Sequence, residues 1–388
     1  MLMFYVSKIT PFFFLLAFTD LFIAVFSKAL GYDHVFVGII SVFGFILHTV
    51  IGAAYQIIPN SQQSELKNEK LQIFVFVSSA LASFFMFLKN YPIASLFTLT
   101  AVLLFTAHVL PVIKNYQPIT IKFLIVSLLY MNLGSLFFVI AYIPLEFLPF
   151  VPFQLAVHTI TLGMMLNAVI GVQTAWIPMI LMHTLNPKIA NASLIVTQIG
   201  IVVVLTGFGI LQYKVVASGS LIVLIGVLIF LWIVYDSIKN TTHKELPYVI
   251  KFFVVGLAFL VLGILSGAHL AGSENFDMVP LHMTLMVFGF GGITIAGAMF
   301  HLLPRIVWNM VHVKKAQEGK KIPNVFNVLK KEEAMITLYV MIVGIILMAG
   351  ATFIELNTTR YLSSLVYLTG LLLFFRALFY RLFLLYTL

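Results

Sequence analysis

Apolar runs of about twenty residues follow one another along the whole chain, broken only by short polar connections. A spanning helix needs roughly 20 such residues to cross the hydrocarbon of a bilayer. An open sheet cannot span lipid, because its edge groups would go unpaired, so the runs are read as helices. Twelve are expected, over 9–30, 34–59, 71–88, 91–113, 119–143, 150–182, 190–213, 216–238, 248–271, 278–308, 334–355 and 361–386. Composition agrees: 62% of the 388 residues are hydrophobic and 9% are charged. A soluble domain carries about 25% charged residues, and a chain of this size cannot bury so much apolar surface on its own.

The expected fold class is therefore all-α, a polytopic membrane protein of about twelve transmembrane helices forming one membrane domain, 1–388. The formal net charge is +9. The basic residues sit in the connections after the second, fourth, sixth, eighth and tenth helices: Lys67, Lys70, Lys114, Lys188, Lys239, Lys244 and Lys251, then Lys314, Lys315, Lys320, Lys321, Lys330 and Lys331. The alternate loops are nearly free of Lys and Arg, and one is acidic, with Glu274 and Asp277. The positive-inside rule puts the basic loops and both termini in the cytoplasm, so the chain is expected in the cell inner (cytoplasmic) membrane. The same distribution argues against nucleic acid as a partner and for membrane lipid. The polar stretch 309–333 reads as a solvated loop. The first apolar run lacks a small-residue cleavage site, so no cleavable signal peptide is expected. With no cysteine, thiolate metal sites, thiolate heme ligation and covalent heme attachment are excluded.

The chain also repeats. Helices 2, 6 and 10 share glycine, seven residues, glycine, six residues, proline: Gly44, Gly52, Pro59; Gly163, Gly171, Pro178; Gly289, Gly297, Pro304. Ile113-Lys114-Asn115 and Ile121-Lys122-Phe123 recur as Ile238-Lys239-Asn240 and Ile250-Lys251-Phe252. Three four-helix units, about 1–115, 116–240 and 241–388, are expected around a pseudo-threefold axis normal to the membrane. Small residues let membrane helices approach closely, which accounts for the glycines without a cofactor.

That does not account for the histidines. His34, His158 and His282 fall in equal steps of 124 near the outer ends of helices 2, 6 and 10. One alone would read as a hydrogen-bonded interfacial residue. Three about one axis point to cofactor or metal ligation, since neutral imidazole is the commonest metal ligand and holds heme iron well. His269 is either a fourth member or an interfacial group. His48, fourteen residues after His34, lies on nearly the same face about 21 Å deeper and belongs to a second site or to packing. His108 and His301 read as packing residues, His183 as interfacial, His243 and His312 as surface residues. Intramembrane charge is a functional suspect by default. Arg376 either meets a heme propionate or snorkels, and Asp20 either relays protons or pairs with a cation.

Helix 10, HMTLMVFGFGGITIAGAMFHLLPR from His282 to Arg305, resembles the histidine-bearing helices of heme-copper oxidase subunit I and of the related NnrS-type membrane heme proteins. Pro59-Asn60 ending helix 2 also resembles the NnrS type. The resemblance implies twelve helices in three arcs of four. It implies axial histidines from helices 2 and 10 for a low-spin heme near the outer face, a second heme on helix 10, and copper histidines from helices 6 and 7. His282 matches the first member of the helix-10 His-x-His pair, whose second member is Thr284 here. His158 has the spacing to Pro178 of that second member, and His34 is three to five residues too far from Pro59. Helix 7 has no histidine, so the paired copper ligands are absent, and copper is a doubtful cofactor beside heme b. The function implied is a b-type heme protein in electron transfer or in nitric oxide or oxygen binding or response. An electron-donor protein and a second copy of the chain are its candidate partners. Whether it is an enzyme is left open; as one it would be an oxidoreductase acting on oxygen or nitric oxide. A transporter or channel using the histidines, and a cofactor-free assembly subunit, are the alternatives.

Overall fold

A computed structural model describes residues 5–143, 150–318, 329–354 and 357–387. Twelve helices long and apolar enough to cross a membrane run through them. They are α1 (Thr10–Ala29), α2 (His34–Ser61), α3 (Glu69–Phe87), α4 (Tyr91–Val112), α5 (Ile119–Tyr142), α6 (Phe153–Ile180), α7 (Pro187–Gly209), α8 (Tyr213–Lys239), α9 (Tyr248–Ser273), α10 (Phe276–His312), α11 (Lys331–Phe353) and α12 (Thr358–Leu384). No strand occurs among the described residues. The chain is an all-α, multi-pass membrane protein.

Three helices form the centre. The most apolar windows of α2, α6 and α10 are 94%, 67% and 83% buried, whereas α3 and α7 bury 28% and 33% of theirs and keep the rest for lipid. One contact recurs where the outer ring meets the centre. A Cβ on Gly52, Gly171 or Gly297 would lie within 3 Å of the Cβ of Phe13, Phe123 or Phe252, carried by α1, α5 and α9. Seven residues further along each outer helix, Asp20, Tyr130 and Phe259 lie equally close to Gly44, Gly163 and Gly289. Glycine is required there because the neighbouring side chain occupies the space a Cβ would take.

The central helices are not α-helical throughout. Residues 40–46 of α2, 159–166 of α6 and 284–292 of α10 are π-helical, each stretch spanning the first of the two glycines. A π turn widens the helix and re-aims the side chains beside it, and such turns cluster at functional sites. That of α6 begins directly after His158, and that of α10 two residues after His282.

The tenth helix is longer than expected. Its α-helical part runs Ile293–Gln317, into the stretch read as a polar loop. His312 is accordingly buried, at 4% exposure, and is not a loop surface residue. Lys320 and Lys321 lie outside the described residues. On the same side, Arg381 of α12 forks onto Glu333 of α11, its Nε donating to Oε2 at 2.7 Å and its Nη2 to Oε1.

Candidate heme-ligating site

Two of the three outer histidines come together. The His158 and His282 rings are nearly parallel, 18° apart, with centroids 6.3 Å from each other. The ring of His158 also stacks on Phe208 of α7, at 4.3 Å and 25°.

Each ring is held by its Nδ1. His158 Nδ1 donates to the carbonyl oxygen of Gln154, one turn back, at 2.8 Å. His282 Nδ1 donates across to the carbonyl of Gly263 on α9 at 3.0 Å, with the Ser266 hydroxyl at 3.3 Å. A carbonyl only accepts, so the proton sits on Nδ1 and the lone pair is on Nε2 of both rings. A ligating imidazole almost always has its second nitrogen anchored in this way, which fixes tautomer and orientation. Gly267 of α9 makes room: a Cβ there would lie 2.7 Å from His282 Cε1.

The separation of the two rings is of the size that two imidazoles sharing one metal would have. A metal–nitrogen bond of about 2.0 Å and roughly 1.1 Å from nitrogen to ring centre, taken on both sides, give about 6.2 Å between centroids. The donor set does not fit the three-imidazole arrangement of a copper site. Among the described residues no three His, Cys, Asp or Glu side chains group as metal ligands.

The other expected site residues stand apart from this pair. His34 is exposed at the first turn of α2, after the Asp33 cap whose carboxylate accepts from Phe36 N. His269 is exposed near the end of α9, and Arg376 is exposed on α12. His48 is buried, with its Nδ1 2.9 Å from Asp20 Oδ2, so Asp20 pairs with a histidine where a Lys or Arg was the alternative to a relay. His108 bonds the Lys67 carbonyl, His243 bonds the Ile180 carbonyl, and His183 pairs with Asp236 at 3.0 Å. His301 lies 4.9 Å from the Trp176 ring and accepts from Arg305 at 3.0 Å.

Sequence reasoning overlooked the supporting residues Phe208, Gly263, Ser266 and Gly267. Gly263 stands thirteen residues after Ile250, as Gly134 does after Ile121, but nothing in one sequence ties its carbonyl to a ring on the next helix. Register explains why His34 does not join. It stands ten residues before Gly44, whereas His158 and His282 stand five and seven before Gly163 and Gly289. At 1.5 Å per residue the extra turn carries it about 5 Å further out.

No family model matches the chain. It is 36% identical over 379 residues to an uncharacterized protein of Aquifex aeolicus (strain VF5), covering 96% of this chain and 97% of that protein. Among solved structures it is similar to a heme-copper terminal oxidase dimer determined by cryo-EM. The TM-score is 0.65 at 14% identity, over 96% of this chain and 82% of that one. At that identity the likeness is one of fold.

Proposed function

The chain belongs to one family with the uncharacterized Aquifex aeolicus protein and has the fold of heme-copper oxidase subunit I, and from that premise we propose that it is a membrane-embedded b-type heme protein. The observation that carries the reading is the His158–His282 pair, with parallel rings, anchored Nδ1 atoms and free Nε2 lone pairs. The two would hold heme b between α6 and α10.

A bis-histidine heme supplies one-electron redox chemistry. This chain's own residues set its conditions. The carbonyls of Gln154 and Gly263 make both imidazoles better donors. Phe208 covers one ring face and excludes water from it. Because the chain anchors both imidazoles, the pair would favour electron transfer over nitric oxide or oxygen binding. The partner on this reading is an electron-donor protein or carrier at the membrane. The NnrS-like version, a role in nitric oxide response, requires one imidazole to be displaced. Three four-helix units, basic loops facing the cytoplasm and residence in the inner membrane complete the proposal.

The test is the visible spectrum and pyridine hemochrome of the full chain, purified after expression with heme available. The expected result is a b-type Soret and α band, lost in His158→Ala and in His282→Ala and kept in His34→Ala. A wild-type protein without a Soret band overturns the reading.

A further inference from the structure

Asp20 is the most unusual side chain in the first four helices: a carboxyl group 2% exposed, midway along α1. Its Oδ2 accepts from His48 Nδ1 at 2.9 Å and from the Ser83 hydroxyl of α3 at 3.1 Å. Ionisable groups at membrane depth are costly. The fold does not demand this one, because Tyr130 and Phe259 make the same contact with Gly163 and Gly289 that Asp20 makes with Gly44. Four residues after each of those glycines stand His48, Asn167 and Ile293. One packing scheme is therefore met with an acid–imidazole pair, with a phenol and an amide, and with two hydrocarbons.

A second observation lies on the two helices that carry His48 and Ser83. The hydroxyls of Ser79 on α3 and Ser41 on α2 are fully buried, and neither has a hydrogen-bond partner. A buried hydroxyl is almost always satisfied, by ordered water where protein does not do it. Ser79 lies one turn from Ser83 and two turns from Gln72 on the same stripe of α3. Gln72 donates to the Tyr5 hydroxyl at 3.0 Å, in a network that joins Tyr5 and Ser7 to Gln56 and Asn60 at the end of α2. Phe13 and Phe76, which fall between these positions along α1 and α3, meet edge to face with 5.3 Å between centroids.

We propose that Asp20 and His48 form a proton-binding site inside the membrane, reached from the Tyr5–Gln72 end along a hydrated file through Ser79. The step is one proton taken from water by the pair and returned to it, with no bond changed other than O–H or N–H. His48 from α2 is the titratable group that acts on Asp20, and α3 presents the hydroxyl Ser83. Next to it α12 meets α1 with Phe374, Phe375 and Phe379 around Phe18, and α10 meets it with Ile295, Ala296 and Met299. The site is separate from the His158–His282 pair and does not depend on heme.

Infrared spectroscopy of the full chain in lipid nanodiscs, titrated with pH and exchanged into D2O, tests this. The expected result is a carboxyl C=O band that titrates and shifts on exchange, is missing from Asp20→Asn and is moved in Asp20→Glu. Ser79→Val slows the exchange by about ten-fold, the size of one lost hydrogen bond to water. A band that neither titrates nor exchanges overturns the proposal, and so does wild-type exchange in Ser79→Val. Should Asp20→Asn fail to fold, Asp20→Glu and Ser79→Val decide the matter.

Discussion

The His282 ring lies directly against Gly267, close enough that a Cβ on the glycine would meet its Cε1 at 2.7 Å and its Nδ1 at 3.0 Å. The backbone of α9 thus sets the imidazole's position twice, through this contact and through the Gly263 carbonyl. Gly267→Ala should push the ring by several tenths of an ångström without unfolding α9. The expected outcome is retained heme with an altered redox midpoint, read by potentiometric titration against wild type. Ser266→Ala removes a 3.3 Å contact with His282 and the 2.8 Å hydrogen bond that the hydroxyl donates to the same Gly263 carbonyl, but it adds no atom against the ring, and it should change the midpoint less.

His34→Ala and His269→Ala should leave heme content within error of wild type, because both side chains are exposed and outside the pair. Quantitative hemochrome analysis per mole of protein checks it. Loss of heme in His34→Ala would mean that α2 supplies an axial ligand, as the family resemblance implies.

The interfaces between outer and central helices should be intolerant of added volume. In Gly171→Ala the new Cβ overlaps the Cβ of Phe123, which is attached to backbone and cannot swing away. Overpacking of this kind costs about 1–3 kcal/mol. Thermal unfolding in detergent should show a lower midpoint for Gly171→Ala and for Gly52→Ala, while Gly350→Ala, which meets no atom within 4 Å and has an ordinary helical φ, should leave it nearly unchanged.

The exposed ion pairs should matter little. Lys331 and Glu245 meet at 2.6 Å with side chains 49% and 75% exposed, and water screens a pair so exposed. Glu245→Gln should leave the unfolding midpoint nearly unchanged. The half-buried Arg381–Glu333 fork should cost more when cut, seen as a larger fall in midpoint for Arg381→Gln.

The absence of cysteine gives a clean background for testing orientation. A cysteine at Ser64, in the connection between α2 and α3, should resist a membrane-impermeant maleimide in intact cells. One at Asn90, between α3 and α4, should react. The reverse pattern would invert the topology drawn from the basic loops.

The twelve crossings were legible because lipid imposes one simple demand, an uninterrupted apolar run, and the sequence meets it twelve times. The repeated glycines were legible as packing positions; their partners Phe13, Phe123 and Phe252 were not, because the steps between them, 110 and 129, differ from the 119 and 126 between Gly52, Gly171 and Gly297. The site was legible only in part. Equal steps of 124 made the three histidines look equivalent, yet helix register is set by the glycines, and measured from them the imidazoles stand at three different depths. The π turns that follow His158 and His282 leave no mark in composition. Asp20 and His48 were each visible as suspects, but their pairing depends on how α1 crosses α2. Gly44 was the available clue, since it is the residue that makes room for the carboxyl group.

The most direct test of the central claim is the low-temperature electron paramagnetic resonance spectrum of the oxidised, heme-loaded protein. The expected result is a low-spin ferric signal of bis-imidazole type that His158→Ala and His282→Ala each abolish. A high-spin signal in wild type, or a low-spin signal that survives either substitution, would contradict it.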